Sequence, residues 1–177
     1  MKTLAALLTL LVLAGSAFAQ SLAENKFFKA VEGTWKGKGT ITNANLEKSP
    51  AKNRLVCEFA DDGRTFTITG KLELGEPGVA EESMSIEYRW DYQAGTVEGL
   101  LAGRFTNLGG GEVSDFEVAI DEENLTAKLN QISGASGEPR IEVTNKIVDG
   151  KYIVVFSMTD SGGQKIMDGE LTYDREE

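Results

Sequence analysis

The chain has no histidine and a single cysteine, Cys57. The first absence removes the commonest general base, the commonest metal ligand and the usual proximal haem ligand. The second rules out an internal disulfide, so the folded part must rest on its core. Cys57 itself reads as a small buried apolar residue. Basic residues are few and scattered: 18 Lys and Arg stand against 28 Asp and Glu, for a net charge of −10. That balance favours solubility and disfavours polyanions, which sets nucleic acid aside as a partner. There is no internal repeat, no low-complexity segment and no helical period beyond a turn or two.

What is present begins with MKTLAALLTLLVLAGSAFA. One basic residue, Lys2, precedes an apolar run from Leu4 to Ala14, and Ala17-Phe18-Ala19 supplies small residues around a cleavage point. This is the pattern of a Sec-type signal peptide. The run is too short for a membrane anchor and lacks a basic stop-transfer flank. Ser16, not cysteine, follows Leu13-Ala14-Gly15, so no lipid anchor is expected at this end. The expectation is a cleaved signal over 1–19 and one mature domain over 20–177, periplasmic or secreted, with no membrane span after cleavage.

Phe27-Phe28-Lys29-Ala30-Val31 has room for a turn or two of helix. From there strand-length alternation takes over. Trp35, Gly37, Gly39 and Ile41 share one parity, as do Leu55, Cys57 and Phe59. The rows continue with Phe66 to Leu74, Met84 to Trp90, Val97 to Phe105, Phe116 to Ile120, Leu125 to Leu129, Ile141 to Ile147 and Met167 to Tyr173. Tyr152 to Met158 is apolar on both parities. About ten strands follow, each with one apolar and one wet face, which marks an antiparallel sheet. Turn signals separate them: Asp61-Asp62-Gly63, Gln93-Ala94-Gly95, Gly109-Gly110-Gly111, Glu122-Glu123-Asn124, Asp149-Gly150 and Ser161-Gly162-Gly163. Regular spacing of this kind predicts an all-β chain, a single up-and-down antiparallel barrel. Glycines on the inward rows either permit the sharp bends that closure demands and leave room inside, or are ordinary bends without a cavity. Asn43 to Asn53, with Ser49-Pro50, reads as the longest polar link, and Gly75 to Glu82, with Pro77-Gly78, as the next.

A short apolar helical turn followed by Gly33-Thr34-Trp35 on the first strand resembles the calycin group. Lipocalins carry Gly-x-Trp at this place, and small secreted lipocalin-like bacterial barrels carry similar Gly-Thr-Trp starts. The resemblance is concentrated in Phe27 to Thr40. It implies that Trp35 plugs the closed end against Phe27 or Phe28, and that Arg175 packs on its ring through a cation–π contact. Other features depart from it. Lipocalins have eight strands and a C-terminal helix, neither seen here, and the lipocalin Thr-Asp-Tyr loop is absent. Nitrobindin-like barrels hold haem through a histidine this chain lacks. Fatty-acid-binding barrels insert two helices where 42–53 is too short and too polar.

No metal, cofactor or catalytic set stands out. Acidic pairs at 61–62, 81–82, 121–123 and 176–177 fall at turns and strand ends and match no calcium loop. Ser133-Gly134-Ala135-Ser136-Gly137 lacks the strand–turn–helix setting of a nucleophile elbow, and no histidine exists to serve it. Asn124-Leu125-Thr126 is a sequon expected to go unused in a chain with a bacterial-type signal. The informative groups are polar ones on apolar rows: Asn145, read as the sole inward amide, with Tyr88 and Tyr173. Candidate lumen walls are Phe66, Met84, Tyr88, Trp90, Leu101, Phe116, Phe156 and Met158, with Asn145 or Tyr88 taking a ligand's polar end. The expected function is a non-enzymatic exported barrel holding a small apolar or amphipathic molecule. The alternative is a filled barrel that serves structure or protein interaction.

Overall fold

A computed structural model describes residues 21–75, 84–94, 101–132 and 139–177. The signal-like segment and Gln20, Val97 and Gly99, Pro77-Gly78 and Ser133 to Gly137 lie outside the described residues. A 3-10 turn at Leu22–Glu24 leads into helix α1 (Lys26–Val31). Ten strands follow: β1 (Gly33–Asn43), β2 (Lys48–Phe59), β3 (Thr65–Leu74), β4 (Met84–Ala94) and β5 (Leu101–Asn107) make the first half. The second half is β6 (Val113–Asp121), β7 (Thr126–Gln131), β8 (Arg140–Val148), β9 (Lys151–Thr159) and β10 (Lys165–Arg175). Each pairs antiparallel with its sequence neighbour, and β1 closes on β10. The all-β antiparallel barrel expected from the alternation is therefore observed, with all edges removed by closure.

Several turns form where the sequence places them, but Gln93 and Ala94, expected in a turn, pair with Ala102 and Leu101 as the end of β4, and Gly95 lies outside the described residues. Asp149 and Gly150 have φ of 52° and 75°, the left-handed pair that matches the twist of a two-residue hairpin. Asp160 closes the β9–β10 turn by accepting from Gly162 N and Gln164 N at 2.9 and 2.8 Å. One link also differs from expectation. Asn43 to Asn53 is not a long loop: Asn43 Oδ1 accepts from Asn45 N and Glu47 N at 2.9 and 3.1 Å, closing a tight turn. Lys48 to Asn53 then belongs to β2, pairing with both β1 and β3. Pro50 sits there exposed.

Helix α1 seals one end. Asn25 caps it, its side-chain oxygen accepting from Phe27 N at 3.0 Å and Phe28 N at 3.3 Å. Phe27, Phe28 and Val31 are buried to within 1%. Phe28 packs on Phe66 and Tyr92 at ring distances of 4.8 and 5.3 Å. Trp35 is 1% exposed, and its indole N–H donates to Val31 O at 2.7 Å. Its ring partner is Tyr152, at 5.7 Å, where Phe27 or Phe28 was expected. Arg175 does lie over the indole, 4.4 Å from the ring centroid. The same guanidinium donates to Glu32 O and, at 2.7 Å, to Ala30 O, so it also satisfies the helix's last carbonyls. Among the described residues no helix is long and apolar enough to cross a membrane.

Candidate functional site

Register identifies the inward rows, and burial along β3, β4 and β9 changes from one end to the other. Outside these strands burial follows no simple order: Leu101 and Ile120 at the helix end are half-buried, and Ile41 and Ala51 toward the far end are buried. On β3, β4 and β9, Phe66, Ile68, Tyr92 and Tyr152 near α1 are sealed. Further along the same strands, Leu72 and Leu74 on β3, Ile86, Tyr88 and Trp90 on β4, and Phe156 and Met158 on β9 are half-buried. Met84, last in its row, is 53% exposed. The strand ends at this far mouth also carry Leu46, Leu108, Val113 and Ile132, all exposed. Among the described residues, five of the six large exposed apolar side chains thus belong to one end of the barrel, and Val148 to the other.

Two of the inward glycines, Gly37 and Gly70, leave no empty room. A Cβ on Gly37 would collide with the Tyr173 ring, and one on Gly70 with the Tyr88 ring. Each glycine lets the ring of the adjacent strand lie flat across it. The space is taken by aromatic rings, and these rings carry their hydroxyls to the barrel's middle.

There they meet Asn53. Its Nδ2 donates to Tyr88 Oη at 2.6 Å and to Tyr173 Oη at 2.9 Å. Asn53 is 5% exposed, and its Oδ1 has no hydrogen-bond partner. An unpaired buried acceptor costs about 1–3 kcal/mol. Asn145, the amide read from the sequence, is 4% exposed and bonds the Tyr92 hydroxyl. Burial dominates the acid–base behaviour of the set. It pushes the Tyr88 phenol up to about 12, opposed in part by the bond from Asn53. It raises Tyr92, Tyr152 and Tyr173 as well, and the Cys57 thiol to about 12. All five stay neutral at ordinary pH. Cys57 is therefore a packing residue, far from the thiolate a nucleophile requires.

The sequence-derived candidates divide between the two ends. Phe66, Phe116, Asn145 and Tyr173 lie in the sealed part. Tyr88, Trp90, Leu101, Phe156 and Met158 are half-buried, with Leu101 starting β5 at the helix end. Met84 is a rim residue. Asn53 was missed. Its parity with Leu55 and Cys57 was the available signal, hidden because Ser49-Pro50 made the stretch read as loop. Among the described residues no group of acidic, cysteine or histidine side chains is placed to hold a metal ion.

A separate groove of about 610 Å³ crosses the outer face of β1 to β3, lined by Lys36, Lys38, Lys52, Arg54 and Lys71 among others. Glu176 pairs with Lys36 and Arg54 at 3.2 and 2.8 Å, and Glu73 with Lys71 at 3.8 Å. These side chains are half or more exposed on the cationic side. The groove is a solvated charged face in which Lys36, Arg54 and Lys71 are engaged by Glu176 and Glu73, and the interior is taken as the candidate site.

No protein-family model matches the chain. No curated protein matches it in sequence. Solved structures share its fold. The S-type phycobiliprotein lyase CPES from Guillardia theta aligns at a TM-score of 0.61 and 10% identity, over 90% of this chain and 98% of that one. Rv2717c from M. tuberculosis aligns at 0.58 and 11% identity, over 84% and 94%. A protein of unknown function from Nostoc punctiforme aligns at 0.54 and 10% identity, over 84% of this chain but 49% of that one. Identities this low establish fold and nothing finer. They do correct one expectation. Missing histidine and a missing nucleophile elbow had set enzymes aside, yet a protein named as a lyase is built on this fold along nearly its whole length. The exclusion of an enzyme therefore does not stand.

Proposed function

We propose that the barrel holds a small apolar or amphipathic molecule, entered from the mouth opposite α1. The carrying observation is the burial along β3, β4 and β9: inward apolar side chains on these strands are sealed toward the helix and half-buried at Leu72, Leu74, Ile86 and Met158 toward the far end, beneath a rim of exposed Leu46, Met84, Leu108, Val113 and Ile132. A soluble domain keeps large apolar side chains on one rim at a cost in solubility, and such grouping marks a contact with something apolar. A mostly apolar concavity with a few convergent polar groups is the usual form of a small-molecule site.

The test is titration with a neutral apolar fluorophore, N-phenyl-1-naphthylamine, into the wild type and into Leu72→Trp. Leu72 faces inward between Asn53 and Ile86. An added indole there should lower affinity at least tenfold with the fold intact by circular dichroism. Equal binding to both proteins, or to neither, would replace the lumen reading with a filled barrel.

A further inference from the structure

Resting on the lumen reading, we infer that the ligand's polar end is an uncharged group that both donates and accepts a hydrogen bond, an alcohol hydroxyl or an amide, and that Asn53 and Tyr88 receive it. The hydrogen-bond inventory of the interior carries this. Asn53 spends both amide protons on the two phenolic oxygens. Its own oxygen is left without a donor. The Tyr88 and Tyr173 hydroxyls also bond each other. One phenolic proton is used in that bond, since a hydroxyl has a single proton to give. The other has no acceptor among the described residues. The cluster therefore presents one open acceptor and one open donor. Tyr88, the half-buried member with its ring 5.7 Å from Phe105, faces the part of the interior nearer the far mouth.

Charge narrows the class. Among the described residues the inward rows carry no lysine, and their arginine, Arg175, is engaged at the other end with Trp35 and the helix carbonyls. A carboxylate brought to Asn53 would meet an amide oxygen and no cation, and an uncompensated charge is disfavoured in an apolar interior. A ketone or ester would use the open donor and leave Asn53 Oδ1 unpaired. A hydroxyl or amide answers both at once.

The experiment is displacement of N-phenyl-1-naphthylamine at pH 8 by compounds of matched chain length: decan-1-ol, decanamide, 2-undecanone and decanoate. The alcohol and the amide should displace the fluorophore at tenfold or more lower concentration than the ketone and the carboxylate, the value of roughly one satisfied hydrogen bond. Asn53→Leu and Tyr88→Phe should each shrink the alcohol-to-ketone ratio, taken within each variant against its own fluorophore affinity, to within about threefold; thermal melts check the fold. Tyr88→Phe changes a single hydroxyl and carries the test if Asn53→Leu does not fold. Fluorophore binding without discrimination, a preference for ketone or carboxylate, or a ratio unmoved by Tyr88→Phe would overturn the inference and leave the lumen reading standing. No fluorophore binding at all would overturn both.

Discussion

The two ends of the barrel are made from the same ten strands and solve opposite problems. At the helix end, Phe27, Phe28, Val31 and Trp35 press on Phe66, Tyr92 and Tyr152, and every side chain in that list is at most 1% exposed. Backbone polar groups there are satisfied by side chains: Asn25 starts the helix and Arg175 finishes it. At the far end the inward rows thin to half-buried Leu72, Leu74, Ile86 and Met158, and no capping residue closes over them among the described residues. On β3, β4 and β9 the sealed side chains belong to one end and the accessible apolar surface to the other. Asn53, Tyr88 and Tyr173 mark the boundary, where the packed interior first leaves polar valence unmet.

Trp35→Ala should show the largest effect, since it removes a fully buried indole, its hydrogen bond and the seat of Arg175. A loss of about 3–5 kcal/mol in urea unfolding is expected. A loss under about 1 kcal/mol would mean the helix end is not the stabilising one.

Alkaline titration sharpens the comparison next. Unfolded, Cys57 and Tyr88 titrate at 9.0 and 10.0; folded, burial holds each up to about 12. The folded form keeps these protons more tightly, so their contribution is whole below pH 9 and is lost as pH rises through about 12. Urea midpoints should be flat from pH 6 to about 8.5 and fall steeply above pH 9, less so in Tyr88→Phe. A midpoint that stays flat to pH 11 would contradict the neutral, desolvated interior.

The smallest effect belongs to the far end. Leu74→Ala trims a half-buried side chain and should cost only about 1 kcal/mol, measured by the same unfolding, while weakening fluorophore binding. A cost equal to that of Trp35→Ala would erase the contrast between the ends.

Much of the fold was legible. The parity of Trp35 to Ile41 or Met84 to Trp90 is a strand with one buried face, and Asp149-Gly150 is a hairpin, because both signals are local. Arg175 was placed on Trp35 by resemblance, and the 4.4 Å contact is found. The site was less legible. Asn145 looked like the sole inward amide because its strand is clean, whereas Pro50 masked the strand that carries Asn53. The glycines were visible, but not the rings that fill them, since Gly37 with Tyr173 and Gly70 with Tyr88 are pairs made across strands.

The sequence by itself determined strand number, the direction each row faces, the neutrality of an interior without histidine, and the helix that precedes β1. These follow from period, turn chemistry and composition, which act over a few residues. Only the tertiary structure decided which mouth is sealed, which rows stay half-buried, and that an amide near residue 50 would share two phenols from strands 35 and 120 residues away. Burial and hydrogen-bond satisfaction are properties of what closure brings together. A single strand's pattern fixes which face looks inward, and only the closed ring of ten fixes what it meets there.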